Sequence, residues 1–372
     1  MVYTVAMLLL VIGCSKPSGQ ETQSSFISPV IRYAKGFEVN DKGSELAVTV
    51  TSPDGYVQHY TLRNKSNVKT LQTERNVIEV PLTNVVCLAS THVALINSLQ
   101  QTDKIIGLED RKSVYNADII ESIEAGKIHE VGNYDELNLE LLINIHPDVV
   151  FQSVSGMPTS NAAQLENLSL HAVGIPAHYE THPLGRLEWI KFFALFFDKQ
   201  AYADSLFDQI EQSYNATMQL VHEPAHRPTV VAGYFSKGVW VAPGGKSYFA
   251  QLLKDAGADY VWKDDSTSGN LKLSYEELVD KGINADYFIN IQMVYKDREQ
   301  VLSDIAEAKS FKSVLANNFY MNNATTNAHG KNNYWEQGFT EPHVVLKDLV
   351  KILHPVLLPE YTPVYFTDQR PK

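Results

Sequence analysis

Aromatic, polar and cationic side chains lie near the ends of predicted strands in this chain, in both halves of the sequence. Ligands of parallel α/β sheets bind at the carboxyl ends of the strands, so residues directly after a strand are candidates for ligand contact. Aromatic rings stack on flat ligand faces, and arginine and lysine form charge-assisted bonds with anionic groups. The pattern predicts a site for a large ligand with flat faces and some negative charge. The candidates are Ser90, Thr91, His92, Tyr115, Ser153, Tyr179, Arg186, Tyr234, Lys237, Trp240, Trp262, Tyr334 and Trp335.

The twelve histidines offer a second kind of site. His178 and His182 are four residues apart; His222 and His226 are too, but Pro224 between them spoils a shared helix face. A direct Zn²⁺ or Mn²⁺ site is therefore kept as an alternative. It would draw on His92, His178 or His182 and a carboxylate from the second half of the chain, with three or four ligands converging.

Motifs for catalysis and nucleotide binding are incomplete in the sequence. Gly245-Lys246-Ser247 resembles the end of a P-loop, but Trp240 stands where that motif needs glycine. The glycines form no G-x-G-x-x-G pattern, and no serine lies in a G-x-S-x-G elbow. We therefore expect a protein that is not an enzyme. A hydrolase, the remaining alternative, would need a nucleophile and a base side by side in the site.

The elements that position these residues alternate between strand and helix from Asn84 onward. In the first half, buried strands are predicted at 85–89, 104–108 and 149–151, with helices at 93–100 and from Asn138. After residue 227 the same alternation of predicted strands and helices returns. This alternation predicts two α/β lobes with largely parallel central sheets, and the space between the lobes is the natural binding site.

The longest helical signal lies between the two halves, from Thr181 to His222. Apolar residues recur there at steps of three and four, the period of a helix with one buried stripe. Polar residues at 198–200 interrupt the pattern and predict two helices. The second, from about Lys199 to Val221, would be roughly 35 Å long and would join the lobes.

Before the α/β region, residues 29–81 carry strand patterns separated by turn signals. The turns are predicted at Asn40–Gly43 and at Pro53–Gly55, and strands at 46–50, 56–60 and 76–80. The pattern predicts β-hairpins that elaborate the N-terminal side of the fold.

The extreme N-terminus carries a short apolar run, 7–13, followed by Cys14. The run is too short to span a bilayer but has the length of a signal-peptide core. Val11-Ile12-Gly13-Cys14 resembles a bacterial lipobox, which predicts lipidation of Cys14 and a tether in the polar residues after it. The alternative is an ordinary secretory signal with an incidental cysteine. No lysine or arginine precedes the run, which departs from the usual pattern.

The composition of the chain limits the classes of partner that we expect for it. The chain has 372 residues, 44% of them hydrophobic and 20% charged, with a net charge of −12. This composition is typical of a globular protein of two domains, and the negative charge argues against nucleic acid or an anionic membrane surface as partner. The only other cysteine, Cys87, lies in an apolar run and is predicted to be a buried strand residue.

Several stretches together resemble the periplasmic substrate-binding proteins of ABC importers, in the class that binds ferric siderophores, haem or cobalamin. The resemblance covers about Val85 to the C-terminus. It is carried by residues 86–95, 131–134, 138–140, 147–150, 238–248, 255–262, 333–336, 344–349 and 354–355.

The resemblance implies two lobes joined by one long helix, with no catalytic residue, no cofactor and no protein-held metal. The ligand would be an iron complex, either a ferric siderophore or haem; cobalamin or another corrinoid is the alternative. It also implies docking to the membrane permease through one glutamate on each lobe, Glu140 in Asn138-Leu139-Glu140 and Glu276 in Ser274-Tyr275-Glu276. We expect a monomeric periplasmic protein held to a membrane only by the lipid on Cys14.

The predicted organisation divides the chain into six parts. These are a signal peptide with lipobox (1–14), a tether (15–28), an N-terminal β-region (29–81), an N-lobe (82–198), an interlobe helix (199–222) and a C-lobe (223–372).

Overall fold

The structure is a computed structural model that describes residues 28–67, 76–133, 136–154, 160–221, 226–292 and 297–370. The signal-peptide run, Cys14 and nearly all of the tether lie outside these ranges, as does His222. None of the helices within them combines the length and the apolar composition needed to cross a membrane.

A four-stranded sheet forms the N-terminal region. Its strands are adjacent in chain order, and the first two pairings are antiparallel, as predicted for hairpins. The third pairing is parallel, so the prediction of a hairpin there is wrong. Gly43 and Gly55 have positive φ values of 84° and 93°, the backbone conformation that their turns require of glycine. The strands are β1 (Phe37–Asp41), β2 (Glu45–Thr51), β3 (Val57–Asn64) and β4 (Val77–Val80).

The N-lobe is built on a parallel five-stranded sheet in the order β11-β10-β5-β6-β7. Its strands are β5 (Val85–Cys87), β6 (Ile105–Leu108), β7 (His129–Glu130), β10 (Val149–Ser153) and β11 (Ala172–Ile175). A small hairpin joins β8 (Gly132–Asn133) to β9 (Glu136–Leu137). The helices are α1 (Ser90–Ser98), α2 (Ala117–Glu124), α3 (Leu139–Ile145) and α4 (Ser160–Asn167).

The two predicted central helices are α5 (Pro183–Leu195) and α6 (Gln200–Gln219). The chain turns between them at Asp198, whose φ is 55°. The predicted division assigned residues 82–198, and with them α5, to the N-lobe, but the helix contacts both hydrophobic cores. Leu184 and Leu187 pack in the larger, C-terminal core, whereas its second half packs in the N-terminal one. Both helices therefore lie between the lobes.

The C-lobe is built on a mixed sheet in the order β15-β13-β12-β16-β17-β18, with β14 also paired to β12. The pairings of β12 with β14 and β16, and of β16 with β17, are parallel. The strands are β12 (Thr229–Ser236), β13 (Val239–Pro243), β14 (Asp259–Tyr260), β15 (Asn270–Leu273), β16 (Tyr287–Asn290), β17 (Phe319–Met321) and β18 (Thr367–Asp368). The helices are α7 (Tyr248–Asp255), α8 (Tyr275–Gly282), α9 (Arg298–Asp304), α10 (Lys312–Leu315), α11 (Gln337–Thr340) and α12 (Pro342–Leu353).

Two buried glutamates fasten the segment that leads into β1 onto α5 and the turn before it. The Glu188 carboxylate is 0% exposed and accepts hydrogen bonds from the backbone N–H groups of residues 32–34, at 2.6 to 3.0 Å. Lys191, 2% exposed, lies 3.2 Å from Glu188 and donates to the Val30 carbonyl at 2.7 Å. Glu180 accepts from the next two backbone N–H groups, both at 2.9 Å. Every charge buried here has a partner, as burial demands.

Candidate functional site

A cavity of about 710 Å³ lies mainly against the C-lobe and reaches two residues near the start of α5. We call it the outer cavity. The C-lobe side is formed around the β12–β13 hairpin, where Tyr234 and Lys237 lie, and by Tyr248 at the start of α7. His178, in the turn before α5, and Arg186, on α5 itself, complete the lining. The volume lies within the range of about 300–1,000 Å³ that is usual for small-molecule sites.

A second cavity, of about 220 Å³, adjoins the outer one, and we call it the inner chamber. Four residues line both spaces: His178, Arg186, Tyr248 and Trp335. The chamber has walls from both lobes. They include Thr91, His92 and Ser153 on the N-lobe side and Leu252, Tyr334, Gly338 and Val345 on the C-lobe side.

Arg186 is held at the boundary between the two cavities. Its Nη2 donates to the His178 carbonyl at 2.8 Å and its Nε to the Glu180 carbonyl at 3.2 Å. The Arg186 guanidinium carbon lies 3.4 Å from the centre of the Tyr248 ring, so the stack joins α5 to α7. Burial lowers the pKa of Arg186, but a guanidinium stays charged in proteins. Within the described ranges no carboxylate lies within 4.0 Å of Arg186, so this cation is available to an anionic ligand.

The histidines at this site are uncharged at neutral pH. Burial lowers the pKa of His92 to about 3, and desolvation and the nearby Arg186 lower the pKa of His178. His182 has a structural role, because its Nδ1 accepts the Leu184 N–H at 3.1 Å and caps α5. No group of three or more histidine, cysteine or acidic side chains arranged to hold a metal ion is found among the described residues. The alternative of a direct Zn²⁺ or Mn²⁺ site has no support from that part of the chain.

Eight of the thirteen predicted ligand contacts lie around these two cavities. The structure brings together Thr91, His92, Ser153, Arg186, Tyr234, Lys237, Tyr334 and Trp335. Five of them lie at or just after the carboxyl ends of strands: Thr91 and His92 in α1 after β5, Ser153 at the end of β10, and Tyr234 and Lys237 near the end of β12. Whether these residues bind a ligand remains a prediction.

Two predicted contacts, Trp240 and Trp262, lie in the C-lobe core and line neither cavity. Trp240 is 0% exposed, and its ring centre is 5.7 Å from that of Phe288. Trp262 packs against Tyr260, with 5.7 Å between ring centres. The prediction that they reach the cleft was wrong because position after a strand does not tell which face of the sheet a side chain occupies.

Three more predicted contacts lie elsewhere. The Tyr179 hydroxyl donates to Asp54 of the N-terminal sheet, and Ser90 begins α1 outside both cavities. Tyr115 lines a separate polar cavity, and its backbone N–H donates to Glu336. Tyr179 and Tyr115 are placed by contacts with segments distant in sequence, which a local pattern does not report.

Tyr248 is the main residue at the boundary that the sequence prediction missed. It follows Ser247, whose hydroxyl caps α7 by accepting the Ala250 N–H at 3.2 Å. Its hydroxyl lies 3.2 Å from that of Tyr334. Its position in the sequence could have indicated a site residue. Tyr248 lies in the first helical turn after the β12–β13 hairpin, as Thr91 and His92 lie in the first helical turn after β5.

The two predicted docking glutamates lie on exposed first turns of helices. Asn138 caps α3, and Glu140 follows it; Ser274 caps α8, and Glu276 follows it. Glu277, next to Glu276, completes the cap by accepting the Ser274 N–H at 2.8 Å. Acidic side chains are favourable in this turn, so the positions alone do not require a partner.

A second set of contacts joins the lobes through loop 325–337, and we call it the interlobe clasp. Glu336, 6% exposed, accepts the Tyr115 N–H at 2.6 Å and the Asn116 N–H at 3.2 Å. Asn327 Nδ2 donates to the carbonyls of Lys112 and Val114 at 2.8 and 3.1 Å. Burial raises the pKa of Glu336 to about 7, although its two N–H donors act in the opposite direction.

We expect the clasp to weaken as the pH rises. A carboxyl whose folded-state pKa is raised holds its proton more tightly when folded. The contribution of Glu336 to the free energy of unfolding is therefore complete below the ordinary pKa of 4.5. It is lost as the pH rises through about 7. In urea unfolding, the stability advantage of wild type over Glu336→Gln should fall between pH 5 and pH 8. Glu124→Gln, an exposed control on α2, should differ from wild type by the same amount at both pH values; the same behaviour from Glu336→Gln would contradict the expectation.

The sequence and the fold both match known proteins. The sequence profile of a family described as periplasmic binding protein matches residues 85–324. An uncharacterized lipoprotein of Methanocaldococcus jannaschii is 28% identical over 317 residues, which cover 81% of this chain and 74% of that protein.

Two solved structures share the fold at low sequence identity. A periplasmic haem-binding protein from Pseudomonas aeruginosa superposes with a TM-score of 0.58 and 14% identity, covering 78% of this chain and 99% of that one. An ABC-type Fe³⁺-hydroxamate transport system protein from Saccharomonospora viridis gives a TM-score of 0.55 and 18% identity, covering 74% and 94%. Identities this low show a common architecture of two α/β lobes.

Proposed function

Since this chain belongs to the periplasmic binding protein family, we propose that it is a receptor that captures an anionic iron complex between its lobes. The cargo is a ferric siderophore or haem, and the receptor delivers it to the membrane permease of an ABC importer. Glu140 and Glu276 dock it to that permease, and the lipid on Cys14 holds it to the membrane surface.

The observation that carries the proposal is Arg186, which has no carboxylate partner among the described residues and lies at the boundary of two adjoining cavities. A cation held by two backbone carbonyls and stacked on Tyr248 is preorganised for an anionic group. Lys237 adds a second cation to the outer cavity, and Tyr234, Tyr248 and Trp335 add aromatic faces. Anionic iron chelates and haem carry both anionic groups and flat aromatic or conjugated surfaces. The names of the two structural neighbours, one haem-binding and one for Fe³⁺-hydroxamate transport, support an iron complex as cargo but not its charge.

The identity of the cargo is tested by isolating the full-length protein from its own membranes. Native mass spectrometry and absorbance of that material distinguish haem, a ferric siderophore and a corrinoid by mass and spectrum. We expect an iron complex to be bound. A corrinoid would support the same class of receptor with a different cargo, and a bare metal ion would contradict the proposal.

Replacing Arg186 should weaken cargo binding selectively. We expect Arg186→Met to lower the affinity for haemin or for a ferric tris-catecholate by about 10- to 100-fold, because a hydrogen bond to a charged group contributes about 1.5–3 kcal/mol. The measurement is quenching of tryptophan fluorescence by each complex. Arg111→Met, at an exposed arginine paired with Glu130, is the matched control and should bind normally. Equal affinities of the two variants would count against the role of Arg186.

Replacing Cys14 should release the protein from membranes. A lipid chain inserts through its buried CH₂ groups, each contributing about 0.8 kcal/mol, and serine at this position cannot receive it. After cell fractionation, Cys14→Ser should move to the fraction that is not membrane-bound. Cys87→Ala, at the only other cysteine in the sequence, should stay with the membranes. Retention of Cys14→Ser in the membrane fraction would argue against the lipid anchor.

A further inference from the structure

We propose that the inner chamber receives an uncharged, mainly apolar arm of the cargo, such as an aryl or branched alkyl substituent. The cargo would then be an anionic iron chelate with its charged part in the outer cavity and its arm in the chamber. This inference rests on the proposed function and narrows the class of ligand.

The first argument is that the inner chamber and the outer cavity adjoin each other. His178, Arg186, Tyr248 and Trp335 line both spaces, so a ligand in the outer cavity lies against the boundary of the chamber. The Arg186–Tyr248 stack lies at that boundary. An anionic group bonded to Arg186 would place the rest of the same molecule within reach of the chamber.

The second argument is the chemistry of the walls, which are mainly apolar. The apolar lining comes from both lobes and from α5: Ile175, Ala177, Pro183, Leu252, Phe339 and Val345. A space of about 220 Å³ has the volume of several waters, at about 30 Å³ each in the liquid, but these walls offer few hydrogen bonds to hold them. Replacing such poorly bonded waters by an apolar group is favourable.

The third argument concerns charge. Among the described residues that line the chamber, Arg186 alone carries a full charge at neutral pH, and it lies at the boundary. The remaining polar groups are all uncharged: the hydroxyls of Thr91, Ser153, Tyr248 and Tyr334, the indole N–H of Trp335 and the two histidines, which are neutral as described above. His92 is 1% exposed, and its Nδ1 has no hydrogen-bond partner within the described ranges. A cationic arm would find no counter-ion here, and an anionic arm would find only Arg186, which the anionic part of the cargo already uses. A neutral arm needs no counter-ion.

The test compares pairs of probes that differ only in an uncharged arm. One pair is two ferric tris-catecholate complexes with the same core, one carrying a benzyl arm and one a methyl group. The other pair is protohaemin, with two vinyl groups, and deuterohaemin, which has hydrogens in their place. In wild type, we expect the benzyl complex to bind at least tenfold more tightly than its methyl partner, and protohaemin more tightly than deuterohaemin.

Two variants fill the chamber from opposite lobes. Ala177→Leu acts from the N-lobe side, and Gly338→Val acts from the C-lobe side, where an added Cβ would meet only ordinary contacts of 3.5 Å or more. In each variant, the ratio of affinities between the probe with the arm and its armless partner should fall below twofold. The affinity for the armless probes should stay within about threefold of wild type, which also shows that the variants fold. Ser268→Val narrows only the outer cavity and should keep the preference.

The outcomes separate the two proposals. Equal binding of both members of each pair by wild type would overturn the inference and leave the receptor function standing. Survival of the preference in both filling variants would overturn it as well. If wild type binds none of the four probes, the proposed function as a receptor for an iron complex is overturned. The inference that the chamber receives an arm of that complex is then overturned as well.

Discussion

A variant carrying both Glu140→Ala and Glu276→Ala is expected to lose uptake of the iron complex while binding that complex as tightly as wild type. The two glutamates lie on different lobes, on α3 and α8, and both side chains are exposed. Neither forms an ion pair with another described residue. A carboxylate on each lobe can pair with an arginine of the permease, and bidentate pairs of this kind fix orientation as well as contribute energy.

Uptake of radiolabelled iron complex by cells or proteoliposomes measures the first half of this prediction, and a binding titration of the purified variant measures the second. Glu124→Ala together with Glu299→Ala removes one exposed glutamate from each lobe and is the matched control. Its uptake should equal that of wild type. Uptake by the Glu140/Glu276 variant at the control level would show that these residues do not dock the protein.

Glu277 gives a sharper comparison because it is adjacent to Glu276 but has a local role. Its side chain completes the capping box of α8 with Ser274. We expect Glu277→Ala to lower the stability of the protein by about 1 kcal/mol, the usual contribution of a helix cap, without abolishing uptake. The neighbouring positions therefore separate a structural carboxylate from a docking one.

The second large effect is expected from Glu188→Ala, which should lower the free energy of unfolding by about 3–5 kcal/mol. Removing one member of a buried ion pair costs this much because the remaining charge is less well compensated. Lys191 would keep Asp204, at 3.3 Å, but that carboxylate is partly exposed. Here Lys191 would lose a partner at 3.2 Å, and three backbone N–H groups would lose their acceptor. Glu180, beside it, would keep its own two backbone donors.

Urea denaturation followed by circular dichroism measures this loss. Glu38→Ala, at an exposed residue of β1, is the control and should change stability by less than about 0.5 kcal/mol. A second variant, Glu188→Leu with Lys191→Met, removes both buried charges and should recover part of the loss. A change in Glu188→Ala as small as that of the control would contradict the assigned role.

The helices and strands of this fold could be predicted largely from the sequence because their signals are local. The three- and four-residue spacing from Ala203 to Met218 marks α6, and the apolar run at 85–88 marks β5. Asn138 and Ser274 are cap residues that the sequence displays directly before α3 and α8. Parallel pairing of β4 is set by its distance from β3 along the chain and by packing, and the turn chemistry did not reveal it.

The candidate site could be predicted only in part because its geometry depends on contacts between distant residues. Arg186 and Tyr248 are 62 positions apart in the printed sequence, and Tyr115 and Glu336 are 221 apart. No pattern within a helix or strand encodes such a pair. Trp240 illustrates the same limit, since its residue type suits a binding surface while its strand directs it into the core.

The fastening of residues 30–36 near α5 determines where a membrane anchor would pull on this protein. If Cys14 carries the lipid, as we propose, the sixteen residue steps from Cys14 to Val30, whose carbonyl accepts a hydrogen bond from Lys191, span at most about 58 Å, at 3.3–3.6 Å per residue. A force along this segment would act on α5, which lies between the lobes, and not on the outer edge of either lobe. Under the proposed function, tension from the membrane would then have little effect on lobe opening, and the protein could reorient towards a permease without opening its lobes.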